Sequence, residues 1–258
     1  MEYAKGQATA LAKRYQATCE RARHDGLSDI TEKLRVSADA TAAVVTVPVG
    51  LAWEIVTNSH HLYAPYAQQV RAGSRAPAEP ANDRRRTAVE ALLYGTYGGQ
   101  IVYGVLSGDG KGPISYGSVH LEMEEKTIAY RATILEDNSY FFVQRHDASP
   151  SQPLAEGHLA PWERRGQLAV CKLLPALHKE TNEQEFGSLL CRSSGDRQTD
   201  SFLEVHIFGT FNYQAVGQVT ISQPAAGLQR HVQRVENAIA EGLKEQLNLL
   251  GVPWIESR

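Results

Sequence analysis

Strand-forming residues in this chain fall in blocks and do not alternate one for one with helices. One block runs from Tyr94 to Arg145 and another from Phe202 to Ile221. Helical spacing occupies both ends. This distribution points to an α+β architecture with mixed or antiparallel sheets, and away from a doubly wound parallel sheet. At the N-terminal end, Ala4, Ala8, Leu11, Tyr15, Cys19 and Ala22 recur at steps of three and four, which predicts a helix over 3–24 closed by Gly26. Ser28 is placed to cap a short second helix. Near the other end, Leu228, Val232, Val235, Ile239, Leu243, Leu247 and Leu250 predict an amphipathic helix from about Pro224 to Leu250, stopped by Gly251 and Pro253.

Between these ends the β-branched run at 42–48 reads as a strand, and a helical stretch follows from Gly50 with Trp53, Ile55 and Val56. A polar passage runs from Asn58 to Ser74. Arg75–Asn82 carries two prolines and reads as a loop. Asp83 is a good N-cap for a helix through Leu93, with Ala88, Val89, Ala91 and Leu92 as its apolar face. Strands are expected at Ile101–Leu106, Ile114–Met123, Thr127–Leu135 and Tyr140–Arg145. The turn Gly108–Pro113 is no phosphate loop, because no Gly-Lys-Ser/Thr follows and no helix starts there. Residues 146–160 read as a loop, and Pro161 opens a helix with Leu168, Cys171, Leu174 and Leu177 on one face. Residues 179–200 read as a loop around Leu189 and Leu190, before strands at Phe202–Gly209 and Gly217–Ile221. The units are an N-terminal helical extension (1–40), a core (41–222) and a C-terminal amphipathic helix packed on it (223–258).

Composition narrows the function. Of 258 residues, 42% are hydrophobic and 21% charged, enough apolar material for a packed core. A net charge of −3 gives no global field for nucleic acid, and the run Arg84, Arg85, Arg86 reads as a solvated helix face. The three widely spaced cysteines make neither a disulfide framework nor a Cys-x-x-Cys metal site. Residues 1–5 lack the apolar core of a signal peptide, and no stretch approaches a membrane span. The expected location is the cytoplasm, or a host cell reached by a route that needs no signal peptide.

The segment at 202–209 carries most of the chemistry. Alternation puts Phe202, Glu204, His206 and Phe208 on one face, and Leu203, Val205 and Ile207 on the other. A carboxylate between aromatics in mid-strand is costly to desolvate unless it is paired or used. The bland alternative is a wet edge strand, or a Glu204–His206 pair with no function.

Phe202-Leu203-Glu204-Val205-His206-Ile207, then Gly209 and 217–221, resembles the strand and following strand that carry the catalytic glutamate in mono-ADP-ribosyltransferase toxins and effectors. Five further segments occur in an order similar to that of bacterial relatives of those toxins: Leu92–Tyr97, Val102–Leu106, Tyr116–Leu121, Tyr130–Thr133 and Asn138-Ser139. The resemblance spans roughly 42–222. It implies an ADP-ribosyltransferase-like core, NAD as substrate, a protein side chain as acceptor and Glu204 as the catalytic carboxylate. NAD contacts would come from Arg71, Ser74, Tyr94, Tyr103, Tyr116, Ser118, Arg131 and His206, with no metal. Cleavage of the nicotinamide–ribose bond passes through an oxocarbenium-like sugar, as glycoside cleavage does, and a fixed carboxylate stabilises that charge.

The chain departs from the arginine-modifying members. The strand at 42–48 has no arginine, no Ser-Thr-Ser occurs, and the position two before Glu204 is Phe202. An aromatic there cannot activate a guanidinium, so the expected acceptor is a hydroxyl-bearing side chain or another group, with a threonine of host ubiquitin one possibility. Two rivals stand beside this reading. One is a Cys-His enzyme using Cys19 or Cys191, or a metal site from His60, His61 and His206. The other is a binding module on a degenerate transferase fold.

Overall fold

The computed structural model describes residues 2–58, 62–77, 80–149, 156–223 and 229–257, with side chains described from residue 6 in the first helix and from residue 81 in the helix that opens at Pro80. His60 and His61, and the expected helix start at Pro224 to Leu228, lie outside the described residues. The described strands are β1 (Ala42–Val47), β2 (Ile101–Ser107), β3 (Val119–Met123), β4 (Ala132–Leu135), β5 (Leu159–Pro161), β6 (Cys191–Arg192), β7 (Ser201–Phe202), β8 (Glu204–Phe208), β9 (Val216–Ser222) and β10 (Trp254–Ser257). The helices are α1 (Glu2–His24), α2 (Ser28–Asp39), α3 (Val49–Thr57), α4 (Tyr66–Arg71), α5 (Pro80–Tyr94), α6 (Glu125–Ile128), α7 (Ser139–Arg145), α8 (Arg165–Leu173), α9 (Phe186–Leu190) and α10 (Arg230–Leu250). No helix among the described residues is long and apolar enough to cross a membrane.

Eight strands form one sheet in the order β10-β9-β3-β1-β2-β8-β4-β5, and β6 with β7 forms a two-stranded ribbon. All pairs in the large sheet are antiparallel except β9 with β10, which α10 connects as a crossover. The mixed α+β class expected from the blocks of strands is what the chain adopts.

Register gives the sheet two unlike faces. Ala43, Val45, Val102, Leu106, Leu121, Ile134, Val205, Ile207 and Val219 face a layer of helices and are buried with Leu11 of α1, Leu34 of α2, Ile55 of α3, Leu168 of α8, and Leu243 and Leu247 of α10. Each such leucine or isoleucine contributes roughly 1.5–3 kcal/mol relative to exposure, so α1 and α2 share the main core with the sheet. The opposite face carries Thr46, His120 and Thr220 at one end and Glu204, His206 and Tyr103 at the other. Helices α5 and α7 cover that second end, through Val89, Leu93, Phe142 and Val143 packed on Leu135 and Leu159.

Several local expectations are corrected. Tyr140–Arg145 is not a strand. It lies in α7, because Asn138 caps the helix with its side chain, accepting from Tyr140 N (3.1 Å) and Phe141 N (3.3 Å). Thr127–Leu135 begins as a turn of helix and becomes strand only at Ala132, and the strand expected from Ile114 starts at Val119, after a 3-10 turn and Gly117. At Gly117 (φ +154°) a Cβ would sit 2.2 Å from the Val47 carbonyl, so the close approach to β1 admits only glycine. The polar passage at 58–74 contains α4, the loop at 146–160 contains the start of β5, and the loop at 179–200 contains α9. Pro161 opens a 3-10 turn, and α8 starts at Arg165. Helix α5 begins three residues before Asp83, which accepts a hydrogen bond from Tyr66 Oη (2.6 Å) instead of capping. Its buried face is Val89, Glu90 and Leu93, while Ala88 and Ala91 are exposed. In α10 the stripe packs only in its second half, since Val235 is 57% exposed. Gly251 ends that helix in the left-handed region (φ +68°), with Val252 N bonded to Leu247 O at 3.0 Å.

Candidate functional site

Strand β8 lies in the interior of the sheet, between β2 and β4, so a side chain on its polar face is walled on both sides. Glu204 sits opposite Val105 and Leu135, and His206 opposite Tyr103 and Thr133. Glu204 is 5% exposed and His206 is fully buried. Glu204 Oε2 accepts two hydrogen bonds, from Ser139 N (2.8 Å) at the first residue of α7 and from His206 Nε2 (2.9 Å). Oε1 takes no hydrogen bond from the described residues. His206 Nδ1 meets the Tyr94 hydroxyl, which lies 2.9 Å from Thr133 Oγ1. One run of hydrogens satisfies the whole chain: Thr133 donates to Tyr94, Tyr94 to Nδ1, and Nε2–H to Glu204. We assign His206 the Nε2–H tautomer on that basis. The Glu204–His206 contact raised as a structural alternative is therefore present, and it belongs to a longer network that orients the carboxylate.

A second carboxylate stands on the same face. Glu90 of α5 is 6% exposed, and its Oε1 accepts from Tyr103 Oη at 3.0 Å. Burial pushes the Glu90 carboxyl above its usual range and the charge of Glu204 adds to that, against the Tyr103 hydrogen bond and the Arg86 charge. The Tyr103 ring meets His206 edge-on at 5.2 Å, and the Tyr94 ring does so at 5.3 Å. Burial, and then the charges of Glu90 and Glu204, hold the Tyr103 phenol well above its ordinary value, so it is a donor and not a phenolate. Gly98 permits the chain to pass here: a Cβ on it would lie 2.6 Å from Glu90 Cβ.

Positive charge flanks the acids. The Arg86 guanidinium lies 4.4 Å from the centre of the Tyr66 ring and 5.5 Å from that of Tyr103, and Arg75 covers Tyr66 at 4.8 Å. Arg197 lies over the Tyr116 ring at 4.6 Å. Tyr116 Oη accepts from Asn138 Nδ2 at 3.4 Å, and burial, followed by the charge of Glu204, raises its phenol.

The fold thus brings together Glu204, His206, Tyr94 and Tyr103, with Tyr116 beside them through Asn138. Other residues expected at the site lie elsewhere. Arg71 is exposed at the end of α4, and Ser74 Oγ donates to Gln69 O at 3.2 Å. Ser118 precedes β3, where its carbonyl accepts from Ser222 N at 2.8 Å. Arg131 donates to Thr127 O (2.9 Å), Phe208 O (2.7 Å) and Thr210 O (2.8 Å), which ties its guanidinium to the backbone beyond β8. Phe202 is buried with Val44 and Val105 and offers no polar atom.

Sequence reasoning missed Glu90, Ser139 and Arg86. The signal for the first was an acid between Val89 and the Leu92-Leu93 pair of a helix. Arg86, four residues earlier on the same side of α5, read as part of a solvated run. Ser139 acts through its amide, which no side-chain pattern reveals.

The Cys191 rival finds little here, and the metal rival turns on His60 and His61, which lie outside the described residues. Burial pushes the Cys191 thiol up to about 12, which keeps it protonated at neutral pH, and it has no histidine partner among the described residues. No group of three or more His, Cys, Asp or Glu among the described residues is arranged to hold a metal ion. What the arrangement offers is a fixed carboxylate, with one oxygen outside the hydrogen bonds of the described residues, on a face that also carries aromatic rings and, over Tyr103, the Arg86 guanidinium. Such a group stabilises positive charge that develops next to it. In comparisons with known proteins, no family model matches this chain and no curated protein matches it in sequence.

Proposed function

We propose that this chain is an NAD-dependent mono-ADP-ribosyltransferase that modifies a protein side chain other than arginine, with Glu204 as the carboxylate facing the oxocarbenium-like ribose. The observation that carries the reading is the state of Glu204: buried in mid-sheet, held through Oε2 by Ser139 N and His206, with Oε1 unclaimed by the described residues. The resemblance of the 202–209 strand to the glutamate strand of that superfamily supplies the reaction. Tyr103 and Tyr116 offer ring faces for nicotinamide or adenine, and Arg86 and Arg197 offer charge for the pyrophosphate. Phe202, buried at the position two before Glu204, leaves nothing there to activate a guanidinium, which favours a hydroxyl acceptor such as threonine.

The test is incubation of the protein with labelled NAD, a cell lysate and, separately, purified ubiquitin. Wild type is expected to label a protein band, and Glu204→Gln to lose roughly 100-fold or more of that labelling. Equal labelling by both forms removes Glu204 from the mechanism. NAD binding without turnover by wild type returns the chain to a binding module, and ADP-ribosyl-arginine as the dominant product overturns the acceptor assignment.

A further inference from the structure

The NAD reading leaves one feature of the site unexplained: a second buried carboxylate. Glu90 occupies the inward side of α5 between Val89 and Leu93, both buried. An apolar residue there would extend the packing of α5 on the sheet, and a carboxylate there is costly unless it is paired or used. It has no cationic hydrogen-bond partner among the described residues. Its one side-chain hydrogen bond from the described residues comes from a neutral phenol, Tyr103 Oη, to Oε1. Oε2 takes none from the described residues. The two acids of this face therefore share a design. Each is anchored through one oxygen, Glu204 by Ser139 and His206 and Glu90 by Tyr103, and each keeps the other oxygen outside the hydrogen bonds of the described residues. The Tyr103–His206 ring contact joins the two anchors.

We propose that Glu90 is the general base of the transfer step, taking the proton of a hydroxyl acceptor. This rests on the NAD reading above. As the acceptor oxygen bonds to the anomeric carbon of the ribose, the carbon–nitrogen bond to nicotinamide breaks and its electron pair leaves with nicotinamide. The acceptor proton passes to Glu90 and then to solvent. Glu204 faces the sugar charge while Glu90 faces the incoming nucleophile, so the two carboxylates divide the roles. The groups facing Glu90 are Tyr103 from β2, Glu204 and His206 from β8, and Arg86 one turn earlier on α5. Burial, followed by the Glu204 charge, raises its carboxyl above the ordinary range, the direction that a base in this role requires.

The experiment compares wild type, Glu90→Gln and Tyr103→Phe in three measurements: NAD binding by calorimetry, nicotinamide release to water, and transfer to protein across pH 5–9. Gln keeps the acceptor for Tyr103, so Glu90→Gln is expected to bind NAD within about threefold of wild type. It is expected to lose roughly 100-fold or more of transfer, to lose less of nicotinamide release, and to show no rising acid limb. Tyr103→Phe removes a donor to the ionised carboxylate, so the midpoint of that limb moves to higher pH. Wild-type transfer and an unchanged limb in Glu90→Gln overturn the role of Glu90, as does an unmoved midpoint in a folded Tyr103→Phe. Absence of both NAD binding and nicotinamide release in wild type overturns the NAD reading itself, and the base with it.

Discussion

Arg14 of α1 forms a two-pronged ion pair with Glu136, which lies at the end of β4 and three residues before Ser139, whose amide holds Glu204. His158 Nδ1 closes on the same carboxylate at 2.6 Å, and Arg14 also donates to Gly157 O at 3.2 Å. The first helix is thereby bound to the segment that positions the site, in addition to its place in the main core through Leu11.

Arg14→Ala should therefore weaken the fold and loosen the site together. Removing one partner leaves a largely buried carboxylate with less compensation, at a cost of about 2–4 kcal/mol. Denaturant unfolding should show a lowered midpoint, and hydrogen exchange should show faster opening of the Ser139 amide. An unchanged exchange rate would mean that α1 is docked without influence on Glu204.

Glu136 also sets an acid limit. Burial opposes its ionisation, but the hydrogen bonds from His158 and Arg14 and the charge of Arg14 outweigh it and hold the carboxyl down at about 2. Its folded value lies below the unfolded value of 4.5, so its contribution is complete above about pH 4.5. That contribution, about 3 kcal/mol, is lost as pH falls toward 2. Glu136→Gln should be less stable at neutral pH and should flatten the stability–pH curve in that window.

His120 acts in a higher window. Buried on the sheet's polar face, it accepts at Nδ1 from Gly112 N (3.1 Å), while Nε2 lies 3.0 Å from Ser222 Oγ. Burial lowers its pKa from 6.5 to about 4. The unfolded chain binds the proton first, so stability falls as pH drops from about 6.5 to 4, by about 3 kcal/mol in total. His120→Asn should lose this slope while keeping the Glu136 slope below it, and thermal melts at half-unit pH steps would separate the two.

Asn138→Ala should cost about 1 kcal/mol through the lost cap of α7. The same change should reduce labelling by NAD more than that stability loss explains, because the capped turn presents Ser139 N to Glu204. Melting temperature and labelling measured on the same preparation would test this, and proportional losses would count against it.

Gly98→Ala places a Cβ 2.6 Å from that of Glu90. The 3-10 segment Gly95–Gln100 or α5 must then shift, at about 1–3 kcal/mol. Tyrosine fluorescence or an NMR probe at Tyr103 should register the displacement.

The sequence was legible where periodicity is enforced by burial. Leu203, Val205 and Ile207 all enter the main core, as alternation required, and Leu243 and Leu247 seat the last helix as their spacing required. It was misleading where a single cap overrides the run that follows. Tyr140 to Val143 has strong strand propensity, yet Asn138 starts a helix there. Glu204 stood out as a candidate because its strand alternates cleanly. Glu90 was passed over because one acid among apolar helix residues resembles ordinary surface, and only tertiary packing turned that side of α5 inward. Strand β10 was invisible for another reason: Trp254–Ser257 is four residues long and takes its order from β9.

The unlike faces of the sheet have a consequence for any mutational survey of residues 203–207. Odd-numbered positions should be scored by how much protein accumulates, since their side chains fill the interior shared with α1 and α8. Even-numbered positions should divide differently, leaving abundant protein that has lost the NAD-dependent labelling expected of the proposed function. A library in which the two parities gave the same phenotype would describe a different sheet from this one.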